Sequence, residues 1–273
     1  MTILPPVCPL FVPAARPDRF AKAASSGADA VIIDLEDAVA PGDKDAARSA
    51  VRDHGIAGLP VFVRVNGAYT PWHDDDLAAL KDVSLTGIVL PKAEDAEAVA
   101  RLRRGIGRDV PVFPLIESAR GMEFRQSLLA EEGVVCAIFG SLDFALDMGC
   151  TADWQALLPA RMSLVQISRA LGLPAPIDGV TTNVKDLAQT RQEALVARDH
   201  GFGGKLAIHP AQVDPILGAF HPDSDEVAWA RRVLDSTASG SDAVTIVDGK
   251  MVDAPVIKKA RDVLRRAGQP RTA

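Results

Sequence analysis

The chain has 273 residues, of which 48% are hydrophobic and 24% are charged, and its formal net charge is −6. These proportions are ordinary for a soluble globular protein, and no run of lysine and arginine suggests a nucleic-acid or anionic-membrane partner. No stretch of apolar residues is long enough for a membrane span. The three cysteines form no CxxC pair, which argues against a disulfide framework or a zinc site and favours a cytoplasmic setting.

Short apolar runs alternate with helical stretches along most of the chain. Runs of this length between glycine and proline residues indicate buried strands, and the alanine- and charge-rich stretches between them indicate helices. The eight predicted strands cover residues 8–14, 30–36, 60–66, 87–93, 112–116, 134–139, 175–180 and 204–210. This alternation predicts an α/β fold of the closed (β/α)₈, or TIM, barrel type. A doubly wound open sheet is the alternative, but no GxGxxG motif follows the first strand.

The segment 211–273 exceeds what a barrel needs and is expected to form a helical and hairpin extension. Its predicted elements are a helix over 224–240, a hairpin over 243–252 with Asp248-Gly249 as its turn, and a helix over 254–268. We therefore expect a catalytic barrel domain over 1–210 and an extension over 211–273. Such an extension can act as a lid or contact a neighbouring subunit.

Charged and polar side chains follow the predicted strands at the ends that converge on one rim of a TIM barrel, where active sites lie. They are Asp34, Glu36, Asp37, Arg64, Asn66, Lys92, Glu117, Asp143, Asp178 and His209. Glu117 and Asp143 each follow an apolar run, and a pair of carboxylates suits a hard divalent cation such as Mg²⁺. The alternative is that each carboxylate caps the following helix or pairs with an arginine such as Arg120.

An arginine close to a carboxylate-bound cation suits a 2-oxo acid as the ligand. The forked guanidinium of Arg64 would bind carboxylate oxygens, while the metal would polarise the oxo group as a Lewis acid. Such a site could make or break a carbon–carbon bond next to that carbonyl. Arg64 could instead be a structural ion-pair partner of Asp34 or Glu36. These two acids point the same way from their strand and could also support the metal's water ligands.

Eight sequence motifs lie along the chain in the order FVPAARPDRFAKA, VIIDLEDAV, VRVN, LPKAED, PLIESARG, FGSLD, GKLAIHPAQV and DGKMVDAPVIKKA. In order and spacing they resemble the citrate lyase β-subunit-like proteins of the HpcH/HpaI aldolase–citrate lyase family, to which the malyl-CoA lyases also belong. The resemblance covers nearly the whole chain. It implies a TIM barrel that uses Mg²⁺, acts on a coenzyme A thioester and assembles as a homotrimer or hexamer.

The resemblance also implies roles for the residues at the predicted strand ends. By motif, Glu117 and Asp143 would bind the metal and also contact the substrate. Arg64 would bind the substrate carboxylate as part of the catalytic machinery. Asp34 and Glu36 would support the metal's waters and the arginine during catalysis.

Further implied roles fall on residues away from the strand ends. Asp253, in the MVD motif, would reach a neighbouring subunit's active site as the catalytic base, although its position alone suggests a helix N-cap. Arg19 and Lys22 would hold the phosphates of coenzyme A. Relatives often have the motif GAED where this chain has GSLD. One carboxylate near the metal is therefore absent, and we expect Leu142 to influence the choice of substrate.

These features together lead us to expect a Mg²⁺-dependent carbon–carbon lyase. It would cleave, or in reverse form, a 3-hydroxyacyl-CoA thioester, with an acyl-CoA and a 2-oxo acid as the small-molecule products. The alternatives are a malyl-CoA-type thioesterase on the same site, a CoA-independent 2-oxo acid aldolase, and a citrate lyase subunit that depends on a carrier protein.

Overall fold

Eight short parallel strands form one sheet in chain order in the computed structural model, which describes residues 4–237 and 245–268. The strands are β1 (Pro9–Pro13), β2 (Ala30–Asp34), β3 (Val61–Arg64), β4 (Gly87–Leu90), β5 (Val112–Ile116), β6 (Ile138–Phe139), β7 (Ile177–Asp178) and β8 (Gly204–Lys205). Each predicted strand contains an observed one, but most observed strands are shorter. Glu36, Asn66 and Lys92 consequently lie in the loops that follow β2, β3 and β4.

The sheet closes on itself between its last and first strands. Leu10 in β1 forms a parallel bridge with Ala207, and the backbone N–H of Phe11 donates to the carbonyl of Ala207 at 2.9 Å. The backbone N–H of Lys205 in β8 donates to the carbonyl of Val7 at 2.8 Å. Closure removes the unpaired sheet edges, and the predicted (β/α)₈ barrel is confirmed.

Helices connect the strands. They are α1 (Phe20–Ala24), α2 (Lys44–Arg52), α3 (His73–Leu80), α4 (Ala96–Ile106), α5 (Ala119–Glu123), α6 (Arg125–Leu129), α7 (Ser141–Met148), α8 (Trp154–Ala170), α9 (Leu187–Asp199) and α10 (Val213–Phe220). Their ends follow ordinary capping chemistry: at α4, the Asp95 carboxylate accepts from the Ala98 N–H at 2.9 Å, and Gly107 ends the helix in a left-handed conformation. None of the helices in the described ranges combines the length and apolarity needed to cross a bilayer.

Aromatic rings fill the barrel interior toward the amino ends of the strands. Phe62 and Phe113 meet edge to face, with their ring centroids 5.0 Å apart. Gly87 makes room for both rings, because a Cβ there would lie 2.9 Å from a ring carbon of Phe113. The interior is therefore packed at this end, opposite the carboxyl ends of the strands, where a TIM barrel has its active site.

The C-terminal segment has a hydrophobic core of its own. It contains α11 (Ser224–Thr237), the antiparallel strands β9 (Thr245–Val247) and β10 (Lys250–Val252), and α12 (Ala254–Ala267). Ala230, Val233, Val252, Ala260 and Val263 pack together here. The predicted turn at Asp248-Gly249 is present with positive φ at both residues, whereas the parts of the predicted helix and hairpin at 238–244 lie outside the described residues.

Helix α10, which comes directly after the boundary expected at residue 210, packs with the barrel. Helix α10 buries Val213, Ile216 and Phe220 in the core between the strands and the outer helices. It is the helix that follows β8 in the eighth strand–helix unit, so it packs with the barrel. The separate packing unit begins at α11.

Candidate active site

A cavity of about 410 Å³ opens at the carboxyl ends of the barrel strands. It brings together residues that are far apart in the sequence and that follow nearly every strand. Among the residues predicted to follow the strands or to form a site, those lining it are Asp34, Asp37, Arg64, Glu117, Leu142 and Asp143. Its volume is ordinary for a site that binds a small molecule.

Arg64 and Asp34 form a two-pronged ion pair on one wall of the cavity. The Nε and Nη2 atoms of Arg64 each donate to a carboxylate oxygen of Asp34 at 2.7 Å. Burial lowers the pKa of Arg64, but the hydrogen bonds and charge of Asp34 outweigh it, so the pKa lies above its usual value. Because a guanidinium has five N–H groups, Asp34 orients Arg64 and leaves donors for a ligand.

Glu36 connects Arg64 to Lys92. Its Oε1 accepts from the Lys92 Nζ at 2.6 Å, and its Oε2 lies 3.0 Å from the Arg64 Nη1. Burial raises the pKa of Glu36, and the charges of Arg64 and Lys92 oppose this rise. Since Glu36 does not line the cavity, its geometry suits support of the two cations better than contact with substrate.

Glu117 is the most strongly perturbed acid of the site. Burial, with a contribution from the charge of Glu36, raises its pKa to about 8. Its Oε1 accepts from the backbone N–H of Lys92 at 2.7 Å, and Lys92 has the rare positive φ of 46°. Gly140 packs directly on this carboxylate, because a Cβ there would lie 2.6 Å from the Glu117 Oε2. The carboxylate is therefore held in one position by its neighbours.

Asp143 lies in the first turn of α7 rather than at the end of β6. A helix N-terminus favours a negative charge, which suits the Asp143 carboxylate. Asp143 and Glu117 both line the cavity, so two carboxylates are directed at the same space.

The donor set fits a hard divalent cation. The site has five carboxylates, of Asp34, Glu36, Asp37, Glu117 and Asp143, against the two cations of Arg64 and Lys92. This excess of negative charge favours a bound cation, and carboxylate oxygens are the ligands that Mg²⁺ prefers. Within the described ranges, however, no three acid, histidine or cysteine side chains are arranged so that they could hold one metal ion together. Glu117 and Asp143 would therefore share the ion with water and substrate oxygens.

A buried polar network beneath the site was not predicted from the sequence. The Lys44 Nζ donates to the carbonyls of Leu35 and Glu36 at 2.6 and 2.8 Å and to the Asn66 side chain at 2.7 Å. Asn66 in turn donates to Asp76, which also accepts from Arg48; all of these partners are buried. Of these side chains only Asn66, at a predicted strand end, was a candidate from the sequence. Lys44 was not, because a lysine in the first turn of a helix is normally exposed.

The other predicted site residues lie outside the cavity. Asp253 caps α12, where its carboxylate accepts from the Val256 N–H at 3.1 Å. Arg19 and Lys22 are exposed on the segment that follows β1. The structure thus gives Asp253 the cap role that its position suggested, and the roles implied for Asp253, Arg19 and Lys22 by resemblance stay predictions.

Asp178 and His209, which also follow strands, have local partners. Asp178 is fully buried and accepts from the Arg161 Nε at 2.9 Å. The His209 Nδ1 accepts from the Ala211 N–H at 3.2 Å and caps a short helical turn. Both therefore serve the barrel structure.

Comparison with known proteins identifies relatives along the whole chain. Residues 8–210 match the family model of HpcH/HpaI aldolase/citrate lyase. A citrate lyase subunit beta-like protein of Mycobacterium tuberculosis is 37% identical over 267 residues, which cover 95% of each chain. A (3S)-malyl-CoA thioesterase of Cereibacter sphaeroides is 34% identical over 272 residues, covering 94% of this chain and 93% of the relative.

Among solved structures, the CitE protein of Mycobacterium tuberculosis in complex with magnesium, acetoacetate and coenzyme A has the same fold. It superposes with a TM-score of 0.88 at 34% sequence identity, covering 98% of this chain and all of that one. The motifs, the closed barrel and the relatives agree. The chain belongs to the HpcH/HpaI aldolase/citrate lyase family.

Proposed function

We propose that this protein is a Mg²⁺-dependent lyase that cleaves, or in reverse forms, a 3-hydroxyacyl-CoA thioester. The products of cleavage are an acyl-CoA and a 2-oxo acid. The observation that supports this most is the presence of Glu117, Asp143 and Arg64 in one cavity with an excess of carboxylates. The relative that binds magnesium, acetoacetate and coenzyme A supports the same ligand classes.

Each cavity residue has a separate task in this proposal. Glu117 and Asp143 hold the Mg²⁺ ion, which when bound supplies Lewis-acid stabilisation of the developing charge. Arg64, fixed by Asp34 at 2.7 Å, uses its remaining N–H groups to bind the carboxylate of the 2-oxo acid. Exposed Arg19 and Lys22 bind phosphates of coenzyme A.

Asp253 from a neighbouring subunit is the proposed base. In the cleavage direction it takes the proton of the 3-hydroxyl group, and the bond between carbons 2 and 3 breaks as the new carbonyl forms. The electron pair passes to the thioester enolate, which is then protonated at carbon 2. This assignment requires an oligomer, for which we propose a trimer or hexamer.

Hydrolysis of a malyl-CoA thioester is the second candidate, because a (3S)-malyl-CoA thioesterase is 34% identical to this chain. The two reactions share the binding of a hydroxyacyl-CoA. They differ in the bond that breaks, which is the carbon–carbon bond in the lyase and the carbon–sulfur bond in the thioesterase.

The test is the conversion of one acyl-CoA thioester into another by the purified protein with Mg²⁺, with the thioesters and any free CoA identified by mass. Acetyl- and propionyl-CoA are paired with glyoxylate, pyruvate and oxaloacetate to test condensation, and malyl-CoA is supplied to test cleavage. We expect turnover of at least one pair that EDTA abolishes. Glu117→Ala should lower kcat/KM by about 100-fold or more, because Lewis-acid stabilisation is worth several kcal/mol.

Glu97→Ala on the exposed side of α4 is the matched control, since it removes a glutamate without touching the cavity. It should leave turnover unchanged. Free CoA together with intact malate would show that the protein is a thioesterase and not a lyase. Turnover that needs an added acyl carrier protein would identify a carrier-dependent subunit, and CoA-independent cleavage of simple hydroxy-oxo acids would identify an aldolase.

A further inference from the structure

The cavity has two chemically different walls. The wall that follows β2 to β5 carries Asp34, Arg64 and Glu117, which hold the polar chemistry described above. The wall that follows β6 to β8 carries the side chains of Leu142, Val180 and Ile208, with Asp143 next to Leu142. A ligand that spans the cavity therefore meets Arg64 at one end, and at the other end it meets aliphatic groups with an acid beside them.

The aliphatic wall is open to the cavity. Leu142 is 44% exposed and Ile208 is 40% exposed, although large aliphatic side chains are usually buried. Covering them with an apolar group removes hydrocarbon surface from water, which is favourable in proportion to the area covered. The wall therefore favours a ligand with an alkyl group on this side.

The distribution of charge disfavours a second anionic group on the ligand. Among the described residues that line the cavity, Arg64 is the single cation, and it faces the acids Asp34, Asp37, Glu117 and Asp143. Two of its N–H groups already donate to Asp34. A carboxylate placed against Leu142 and Ile208 would lose water and find no positive partner there, which is costly.

We propose that the wall of Leu142, Val180 and Ile208 selects 2-oxo monocarboxylic acids that carry a short alkyl group and rejects 2-oxo dicarboxylic acids. The inference rests on the proposed lyase function and names its substrate class. With the acid's own carboxylate at Arg64, the substituent on the far side of the oxo carbon extends toward the aliphatic wall. Leu142 is the residue that determines this specificity.

The sharpest test compares 2-oxobutyrate with oxaloacetate as co-substrates of acetyl-CoA. The two differ only in a terminal methyl against a carboxylate, and both are ketones of similar size. We expect kcat/KM to favour 2-oxobutyrate by at least about ten-fold, the smallest effect typical of one group in a hydrophobic pocket. Products are identified by mass, because oxaloacetate loses carbon dioxide spontaneously.

Two variants of α7 separate the wall from a general charge effect. Leu142→Arg supplies the missing cation inside the cavity and should lower the preference for 2-oxobutyrate by about ten-fold or reverse it. Leu146→Arg places the same charge one helical turn further along, at a residue that is 80% exposed and outside the cavity lining. It should leave the preference unchanged.

A binding measurement separates this inference from the reaction on which it rests. Calorimetry with Mg²⁺ and each acid alone should give tighter binding of 2-oxobutyrate than of oxaloacetate, reversed or equalised in Leu142→Arg. Selective binding without turnover of any CoA pair would overturn the lyase reaction and support the selectivity. Equal or tighter binding of oxaloacetate by the wild type, or the same preference in both variants, would overturn the selectivity.

Discussion

At the scale of single residues, Glu117 combines an unfavourable environment with a proposed role in metal binding. Burial raises its pKa to about 8 in the folded protein, against about 4.3 for an unperturbed glutamate. A carboxyl group in this situation opposes folding whenever it must ionise, because the unfolded chain ionises it more easily. A bound cation would remove that penalty, so the residue is poised for a ligand of opposite charge.

A pH dependence of stability follows for the metal-free protein. Below about pH 4 both states hold the proton and Glu117 has no effect. Between about pH 4 and 8 the unfolded state ionises first, so the free energy of unfolding falls by up to roughly 1.4 kcal/mol per pH unit from this group. Glu117→Gln removes the loss, and in EDTA we expect the variant to unfold at a higher temperature than the wild type at pH 8 but not at pH 4.5.

Magnesium should reverse this order. At pH 8 the ion stabilises the wild type by binding the folded state, whereas Glu117→Gln has lost a ligand and should gain little. A Glu117→Gln variant that is less stable than the wild type in EDTA at pH 8 would contradict the proposed burial penalty. The measurement is the thermal unfolding temperature of both proteins under four conditions, with EDTA or with Mg²⁺ at each of the two pH values.

Lys92 contributes to the site through its backbone as well as its side chain. Its φ of 46° directs its N–H at Glu117, while its Nζ pairs with Glu36. Lys92→Gly loses the ammonium but adopts this backbone readily, whereas Lys92→Val loses the ammonium and strongly disfavours it. We expect Lys92→Val to bind Mg²⁺ about ten-fold more weakly than Lys92→Gly, given a strain of about 1–2 kcal/mol.

Calorimetric titration of Mg²⁺ into the two variants checks this expectation. Both lack the ion pair with Glu36, so the difference between them isolates the backbone. Equal affinities would assign the role of Lys92 to its charge alone.

At the scale of elements, the buried side chain of Lys44 connects the loop after β2 with the loop after β3. Its Nζ donates to two carbonyls in the loop after β2 and to Asn66 in the loop after β3, at 2.6–2.8 Å. The carbonyls of Leu35 and Glu36 also accept from the Asn66 side chain and the Val39 N–H, so Lys44→Met should leave only the buried Asn66 Oδ1 without a donor. One unsatisfied buried group costs about 1–3 kcal/mol. We expect a lower unfolding temperature together with a fall in kcat/KM. The reason is that the loop after β2, which carries Glu36, the partner of Arg64 and Lys92, loses two of its buried hydrogen bonds.

The exposed Lys81 at the end of α3 provides the matched control for this prediction. Lys81→Met also removes a lysine but should change neither quantity. A Lys44→Met enzyme with normal unfolding and normal kinetics would remove Lys44 from the support of the site.

The elements also show how far the sequence can predict this protein. Local apolar runs located all eight strands and most of the acids at their ends, since burial and breakers are local signals. Most strands were predicted too long, because buried apolar residues such as Leu35 continue past the end of the strand into the loop. Partners distant in sequence, such as Lys92 and Glu36 at a separation of 56 residues, depend on the closed register of the sheet and have no local signal.

At the scale of the whole molecule, the proposed base lies in a packing unit separate from the barrel cavity. Asp253 is the N-cap of α12, whose buried residues belong to the second core. If it serves a neighbouring subunit, then mixing inactive Asp253→Asn and Glu117→Ala proteins after reversible dissociation should restore activity. Random assembly of equal amounts in a cyclic oligomer would rebuild roughly a quarter of the sites.

Activity assays of the mixture and of each parent protein make this measurement, and light scattering follows the oligomer. No recovery from a properly reassembled mixture would place the base within the same subunit or remove Asp253 from catalysis. Recovery would at the same time demonstrate that the site is shared.

The two walls of the cavity differ in how strongly their residues depend on one another. The loops after β2 to β5 hold Asp34, Arg64 and Glu117 in a web of ion pairs and buried hydrogen bonds, so a change there disturbs several partners at once. The aliphatic side chains of Leu142, Val180 and Ile208 after β6 to β8 are not ion-pair partners, and a change in one of them disturbs fewer charged groups. Chimeric enzymes that exchange residues on the second half of the rim could therefore acquire new substrates while the inherited chemistry of the first half stays intact.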